Sequence, residues 1–557
     1  MNMKNTFLPL IFLILVAGLP DLLHAQTGRA ARYEPGDWVN YANFHYVTSF
    51  EEGKDYVYIG TTHGVLRFNL NTKQYDFPYT LSSGLQDDYV LNMLWLDEKD
   101  ELWVFTRGGI DVIYTVLNRW SHIDGTDQIF QQAGRGVRVG TSSGSVWVRV
   151  NQAQQFQFDK YGAYYLGPGS PSNQQVQWKS HTDPGTGSAN YFLEQQWTFN
   201  RLEGTLQNED FRQFPLTTQY TDRYNQVWIG TWGAGFIRAD AVTKEGEVER
   251  LGPVSNAVGA LFRLDQEFWF GSSGGWMVGP PSIEGEPGIS RLARDSGEWE
   301  HFTSAEEYEI DNVTVYAIGG DNNRLWFGTD RGLISYRPPD NQWQRFDHPS
   351  LERHQVYDVV ATDTAVWVAS RTGLYQLSHP AGYVRSRVNL LGGQQLNVYA
   401  VAVYGESVFA GTDFGLVRVD RTTDGVTYYD DEGKQVSRKK FHGLRTYTLD
   451  SAGENLYYAN DFGMFELNVS AGTVSQIPKL GLHARSVIRV IEADSTTVWV
   501  GFDDGLGRFS SETREWRFFS TEDGLASNQI YDLVVLPGET VWCATRRGVT
   551  KFQFNKP

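Results

Sequence analysis

A single cysteine, Cys543, stands among 557 residues, with only five methionines. One thiol excludes an internal disulfide framework and a cysteine-rich zinc site. No H-E-x-x-H or paired-histidine spacing occurs. Histidines such as His45, His63, His122 and His354 are scattered, so no metal is expected. Basic residues number 48 against 66 acidic ones, a formal charge of −18. An acidic surface disfavours nucleic acid and anionic membranes as partners. Beyond the N-terminus no apolar run is long enough to cross a bilayer as a helix. Glycine (57 residues) and aromatic residues (14%) are abundant. That mix predicts short strands separated by many turns.

Residues 1–25 read as a secretory signal peptide. Lys4 supplies the positive start, Phe7 to Gly18 the apolar run, and Leu23-His24-Ala25 a small residue at the cut. Cleavage after Ala25 would leave a periplasmic or extracellular protein with no membrane insertion.

Internal repetition organises the rest. The segment Leu325-Trp326-Phe327-Gly328-Thr329-Asp330-Arg331-Gly332-Leu333 recurs in variant form along the chain. Its aromatic second position falls at Tyr58, Trp103, Trp147, Trp228, Trp269, Trp326, Trp367, Phe409, Tyr457, Trp499 and Trp542. The interval between Trp147 and Trp228 is about double the others, which places a degenerate copy near Trp197 and gives 12 units. Each unit reads as four short strands: one such as Val356 to Val360, the Trp strand, a third after a tight Gly turn, and a fourth with Trp-x-x-Phe, as in Trp343 to Phe346. Four strands with turn residues between them, at a period in the low forties, predict an all-β chain of four-stranded antiparallel blades stacked as β-propellers.

The last unit lacks its fourth strand. Gly36-Asp37-Trp38-Val39-Asn40-Tyr41 has the missing pattern, so a strand near 36–41 is expected to close a ring and hide its edges. Single propellers hold four to eight blades, so 12 units imply two rings. Even division puts the first propeller at 26–278 and the second at 279–557. A split of seven and five, or an interleaved path, keeps the same strand phase.

Together with Gly524-Leu525-Ala526-Ser527-Asn528, these units resemble the two-component regulator propeller repeat, over nearly all of residues 36–556 and least from 146 to 226. That family forms the extracytoplasmic ligand-binding sensors of hybrid sensor kinases. The resemblance implies a non-enzymatic, sensor-like propeller that recognises an oligosaccharide, a peptide or an envelope protein. The last unit ends at Pro557, so no kinase part is expected and no signalling across a membrane by this chain alone. The propeller subunit of the type IX secretion machinery is also similar, although it carries an additional C-terminal domain. Its likeness implies the alternative of a structural or accessory subunit of an envelope assembly. A carbohydrate-active enzyme is the third reading, but no motif nominates its pair of carboxylates.

Other motifs have ordinary explanations. Gly140-Thr141-Ser142-Ser143-Gly144 and Gly271-Ser272-Ser273-Gly274-Gly275 match a nucleophile elbow, which needs a strand-to-helix turn. Both fall where hairpin turns are expected. Asp503-Asp504-Gly505 and Asp430-Asp431-Glu432-Gly433 match no calcium loop and read as solvated turns. Cys543 is expected to be buried. No catalytic residue and no cofactor is expected.

If strands such as Val356 to Val360 are innermost, the loops entering them gather at a channel mouth. The candidate ligand-binding residues there are Asp87, Asp88, Asn312, His354, Asn397, Arg445, Arg485, Asn528 and Gln529. The recurrent Tyr316, Tyr357, Tyr399 and Tyr531 are expected to pack between blades instead of facing a ligand.

Overall fold

The computed structural model describes residues 33, 36–131, 136–150, 154–169, 175–179, 190–194, 196–273, 285–303, 307–310, 312–392, 395–430, 433–478, 486–494 and 496–554. The signal-peptide residues lie outside these. The described residues form eleven antiparallel sheets, most with four strands, in a β-propeller architecture.

The repeated motif maps onto the second strand of each sheet. Leu325–Thr329, Ala365–Ser370, Thr497–Phe502 and Thr540–Thr545 are buried at every position. Both faces of such a strand are covered by neighbouring sheets, so its sequence is a continuous apolar run without alternation. The outer strands meet water, and Val384–Arg387 is mostly exposed.

The polar part of the motif builds the turn. Thr329 Oγ1 donates to the Gly332 carbonyl at 2.8 Å, and Thr61, Thr412 and Thr545 repeat this bond to Gly64, Gly415 and Gly548 at 2.8–2.9 Å. Gly332 has φ +117°, where a side chain is strained. Thr329 is buried, so its hydroxyl has no water to turn to. Thr329→Val keeps the shape and removes the bond. It should lower unfolding free energy by about 1–3 kcal/mol in a denaturant titration, and no change would reject this role for the hydroxyl.

The innermost strands set the global path. Val258–Leu264, Val315–Gly320, Val356–Ala361, Val398–Tyr404, Thr446–Ala452, Ile488–Ala493 and Ile530–Leu536 each pack on the next, and the last packs on the first. Trp542 stacks on Phe268 at 4.2 Å across that final seam. Trp38–Tyr41 pairs with Gly548–Gln553, register Trp38↔Phe552 to Tyr41↔Val549, and forms the outer strand of the C-terminal sheet. A second group of inner strands is Val47–Glu52, Val90–Leu96, Arg138–Ser142 and Gln213–Thr221. In it, Val47–Glu52 packs on Val90–Leu96 and on Gln213–Thr221, and Arg138–Ser142 on Val90–Leu96.

Two details differ from the sequence reading. The sheet holding Val258–Leu264 and Trp299–Thr303 runs across residue 278, where even division placed the boundary. Trp197 opens a hairpin, Trp197–Asn200 with Thr205–Asn208, that joins the sheet of Gln213–Thr221 and founds none of its own. Gly140 to Gly144 is a strand-to-strand turn between Arg138–Ser142 and Ser145–Val150. Gly271 and Ser272 lie in Glu267–Ser272, while Gly274 and Gly275 lie outside the described residues. Cys543 is buried in an apolar cluster with Trp499 and Leu533.

Candidate functional site: a tyrosine-lined channel mouth

A bulge repeats in all seven inner strands of the larger group. The register skips one residue between Val258 and Ala260, Val315 and Ala317, Val356 and Asp358, and Val398 and Ala400. It does so again between Thr446 and Thr448, Ile488 and Val490, and Ile530 and Asp532. The skipped residues are Gly259, Tyr316, Tyr357, Tyr399, Tyr447, Arg489 and Tyr531. A bulge re-aims the side chain of its extra residue. Six of these seven positions, all but Arg489, line one cavity of about 370 Å³, together with Ser273.

This corrects the expectation for Tyr316, Tyr357, Tyr399 and Tyr531. They face a cavity and are not filler between sheets, because the bulge turns them off the sheet face. They still touch one another around the rim. Ring centroids lie 6.1 Å apart for Tyr316 and Tyr357 and 5.2 Å apart for Tyr357 and Tyr399. Polar neighbours hold the phenols. Tyr357 donates to Gln355 Oε1 at 2.8 Å, Tyr399 to Asp413 Oδ1 at 2.7 Å, and Tyr447 to the Asn460 carbonyl at 3.1 Å. Burial pushes the Tyr447 phenol up to about 12, so it stays a donor at neutral pH.

Three of the residues nominated from sequence touch this collar. Asn397 Nδ2 donates to Tyr399 Oη and to Asp413 Oδ1, each at 3.3 Å. The Arg445 guanidinium lies 5.2 Å from the Tyr399 ring centre. Gln529 Oε1 accepts from Tyr531 at 3.4 Å. Others close turns. Asn528 Oδ1 accepts from the Thr521 amide at 2.7 Å, and Asn312 sits exposed at φ +47°. The His354 amide closes a turn on the Leu351 carbonyl at 3.2 Å. Asp87 and Asp88 belong to the other group of sheets, where they accept the Tyr89 and Leu81 amides at 2.7 and 2.8 Å. Burial pushes the Asp88 carboxyl up to about 7. Arg485 lies outside the described residues.

Further along the same strands lie four carboxylates, Asp358, Asp450, Glu492 and Asp532. Asp358 accepts the Val401 amide at 2.8 Å, Asp450 the Ala493 amide at 2.7 Å, and Asp532 the Leu261 amide at 2.7 Å. Each bond ties one inner strand to the next. Burial pushes Asp358 and Asp450 up to about 6 and Asp532 to about 7. Glu492 is raised further, first by burial and then by repulsion from Asp450, Asp532 and Asp358. Asp450, Glu492 and Asp532 sit on three successive inner strands, so most of this repulsion acts between neighbouring strands. No sequence motif marks them. Their only signal is a repeat position, three residues beyond the bulge for Asp450 and Glu492.

The centre of the smaller group is filled by the chain itself. Gln177–Trp178 adds to the inner edge of Arg138–Ser142. Lys179 Nζ donates to the Phe50 carbonyl at 2.6 Å and the Met93 carbonyl at 3.0 Å, and pairs with Glu51.

No protein-family model matches this sequence, and no curated protein matches it. Among solved structures, PorZ, described as an essential surface component of the type IX secretion system of Porphyromonas gingivalis, is similar in fold. It superposes with TM-score 0.56 at 12% identity, over 93% of this chain and 87% of that one. The extracellular domains of the putative hybrid two-component systems BT4673 and BT3049 of B. thetaiotaomicron give TM-scores of 0.43 at 14% identity. They cover 91% of this chain and 70% and 68% of theirs. At these identities the likeness is one of fold alone.

Proposed function

We propose that the chain is an exported, non-enzymatic β-propeller binding protein whose ligand seat is the tyrosine-collared channel mouth. The observation that carries this reading is the set of five tyrosines, Tyr316, Tyr357, Tyr399, Tyr447 and Tyr531, around one cavity of about 370 Å³. Aromatic faces with fixed hydroxyls suit a sugar ring or a peptide side chain, which need apolar contact and a few directed polar bonds. The division that fits the strand contacts is a smaller propeller, about residues 42–251, inserted after the closing strand Trp38–Tyr41 of a larger one that resumes at Val258.

The likeness to PorZ supports a second reading, an accessory subunit of an envelope assembly. The two readings separate on what occupies the mouth. In calorimetric titrations with oligosaccharides and peptides, Tyr357→Ala with Tyr399→Ala should weaken binding at least about tenfold. The melting temperature should stay near that of the parent, because these rings border open space. Unchanged affinity in the double variant would place the ligand elsewhere and favour the assembly reading.

A further inference from the structure

One arc of the mouth face differs from the rest. In six sheets of the larger group the turn after the second strand holds, just before its glycine, Arg331, Thr372, Phe414, Phe462, Asp504 and Arg547. Four of these are polar, and the two phenylalanines fall in successive sheets. Phe414 is 40% exposed and Phe462 62% exposed. Both turns are tied to the collar. Asp413, beside Phe414, accepts from Tyr399, and the Asn460 carbonyl, two residues before Phe462, accepts from Tyr447. Between these turns along the chain runs the connection Arg438 to Arg445, with four basic residues and no acid in a chain of net charge −18. Phe441 anchors it. That ring is buried, packs on Tyr428 with centroids 5.0 Å apart, and lies where a Cβ on Gly415 would be 3.3 Å away. The Gly443 amide donates to the Phe414 carbonyl at 2.9 Å, and the His442 ring meets Phe414 edge-on at 6.5 Å. The connection is therefore fixed against the first phenylalanine, with Arg438, Lys439, Lys440 and Arg445 exposed. Among the described residues none of the four makes an ion pair or a side-chain hydrogen bond. The acids bordering the arc are Asp413 and Asp461, so four cations stand against two carboxylates.

We propose that this arc docks an extended acidic segment of a partner protein, its carboxylates on Lys439, Lys440 and Arg445 and one apolar side chain against Phe414 and Phe462. The inference goes beyond the collar seat and does not depend on it. Exposed aromatic surface rimmed by charge marks a contact with another protein. Cations without partners attract a segment of opposite sign and fix its register. The acidic remainder of the chain repels such a segment from other faces and so steers it to the basic connection. A protein segment suits the arc better than an acidic glycan, because a phenylalanine ring has no polar atom to meet sugar hydroxyls.

The test is fluorescence anisotropy on the full chain at low salt, with a labelled peptide of one phenylalanine flanked on each side by three aspartates. Matched peptides carry serine for the phenylalanine or asparagine for the aspartates, and tetragalacturonate serves as an anionic sugar. The acidic aromatic peptide should bind with Kd of about 100 µM or tighter. Lys439→Glu with Lys440→Glu should weaken it at least about tenfold, and Phe462→Ser about three- to tenfold. All three side chains are exposed, and melting curves check that both variants fold. The proposal is overturned if the peptide does not bind at about 1 mM, if the asparagine or serine peptide binds equally well, or if the charge-reversed variant keeps the parent's affinity. Tetragalacturonate binding through Lys439 and Lys440, with no peptide binding, would make the arc a site for acidic sugars and likewise overturn it. A neutral oligosaccharide that binds in a Tyr357- and Tyr399-dependent way while the peptide does not would reject the docking arc and leave the collar seat standing.

Discussion

Trp38→Ala should lower unfolding free energy by about 3–5 kcal/mol, the usual cost of emptying a buried tryptophan site. Trp38 is 5% exposed and stacks on Phe552 with centroids 3.8 Å apart. Phe519 lies 5.8 Å away on another side. Gly524 is held at φ +136° against the indole, and a Cβ there would lie 2.5 Å from the Trp38 ring. The strand that carries Trp38 is short, and its polar anchors are few. Asn40 Oδ1 accepts from Thr550 Oγ1 at 2.8 Å, and Asn40 Nδ2 donates to the Gly524 carbonyl at 3.2 Å. Losing the ring therefore loosens the whole outer strand and bares the edge of Gly548–Gln553, so the variant should also aggregate sooner on heating. Denaturant unfolding and light scattering measure the two effects. A change under about 1 kcal/mol would mean that the strand contributes little to holding the chain ends together.

Glu492→Gln should do the opposite, and only at high pH. The folded protein raises the carboxyls of Asp358, Asp450, Asp532 and Glu492 above their ordinary values. A raised carboxyl favours the folded state below its unfolded pKa, near 4, and that favour is lost as pH rises through the folded value. For Asp358, Asp450 and Asp532 the loss falls between about pH 4 and pH 7. Buried histidines run the other way. Burial lowers His63 to about 4 and His301 to about 3, and takes His45 well below its usual range. Their stability is present above their unfolded pKa, near 6.5, and is lost as pH falls. The parent profile therefore mixes both trends, and the informative quantity is the difference between variant and parent. That difference should be near zero at pH 4 and should favour Glu492→Gln increasingly as pH rises to 8. A variant equal to or weaker than the parent at pH 8 would mean that the glutamate is comfortably charged, with a partner in the channel already.

Much of the fold can be read from the sequence because stacked sheets impose one environment many times. A second strand covered on both faces must be apolar throughout, and its turn needs Thr and Gly at fixed places, so Thr329 and Gly332 recur in other dress. The closing strand is legible for the same reason. Trp38 fits the slot that Trp299 or Trp516 fills elsewhere. The collar is not legible, since a period-two reading assigns Tyr357 to a sheet face and only the bulge beside it turns the ring into the channel. Asp450 and Glu492 are hidden among 66 acids. Their closeness depends on the radial arrangement of strands some forty residues apart, which spacing along the chain does not reveal. Even division at residue 278 falls inside the sheet that holds Val258–Leu264 and Trp299–Thr303.

Tyrosine nitration followed by mass spectrometry, with and without a saturating oligosaccharide or peptide that binds in the calorimetric titrations, tests the binding mouth most directly. Protection should fall on Tyr357, Tyr399, Tyr447 and Tyr531, while the exposed Tyr161 and Tyr383 react as before. Equal reactivity of the collar in both samples, or protection confined to Tyr161 and Tyr383, would contradict a ligand seat at the mouth of the channel.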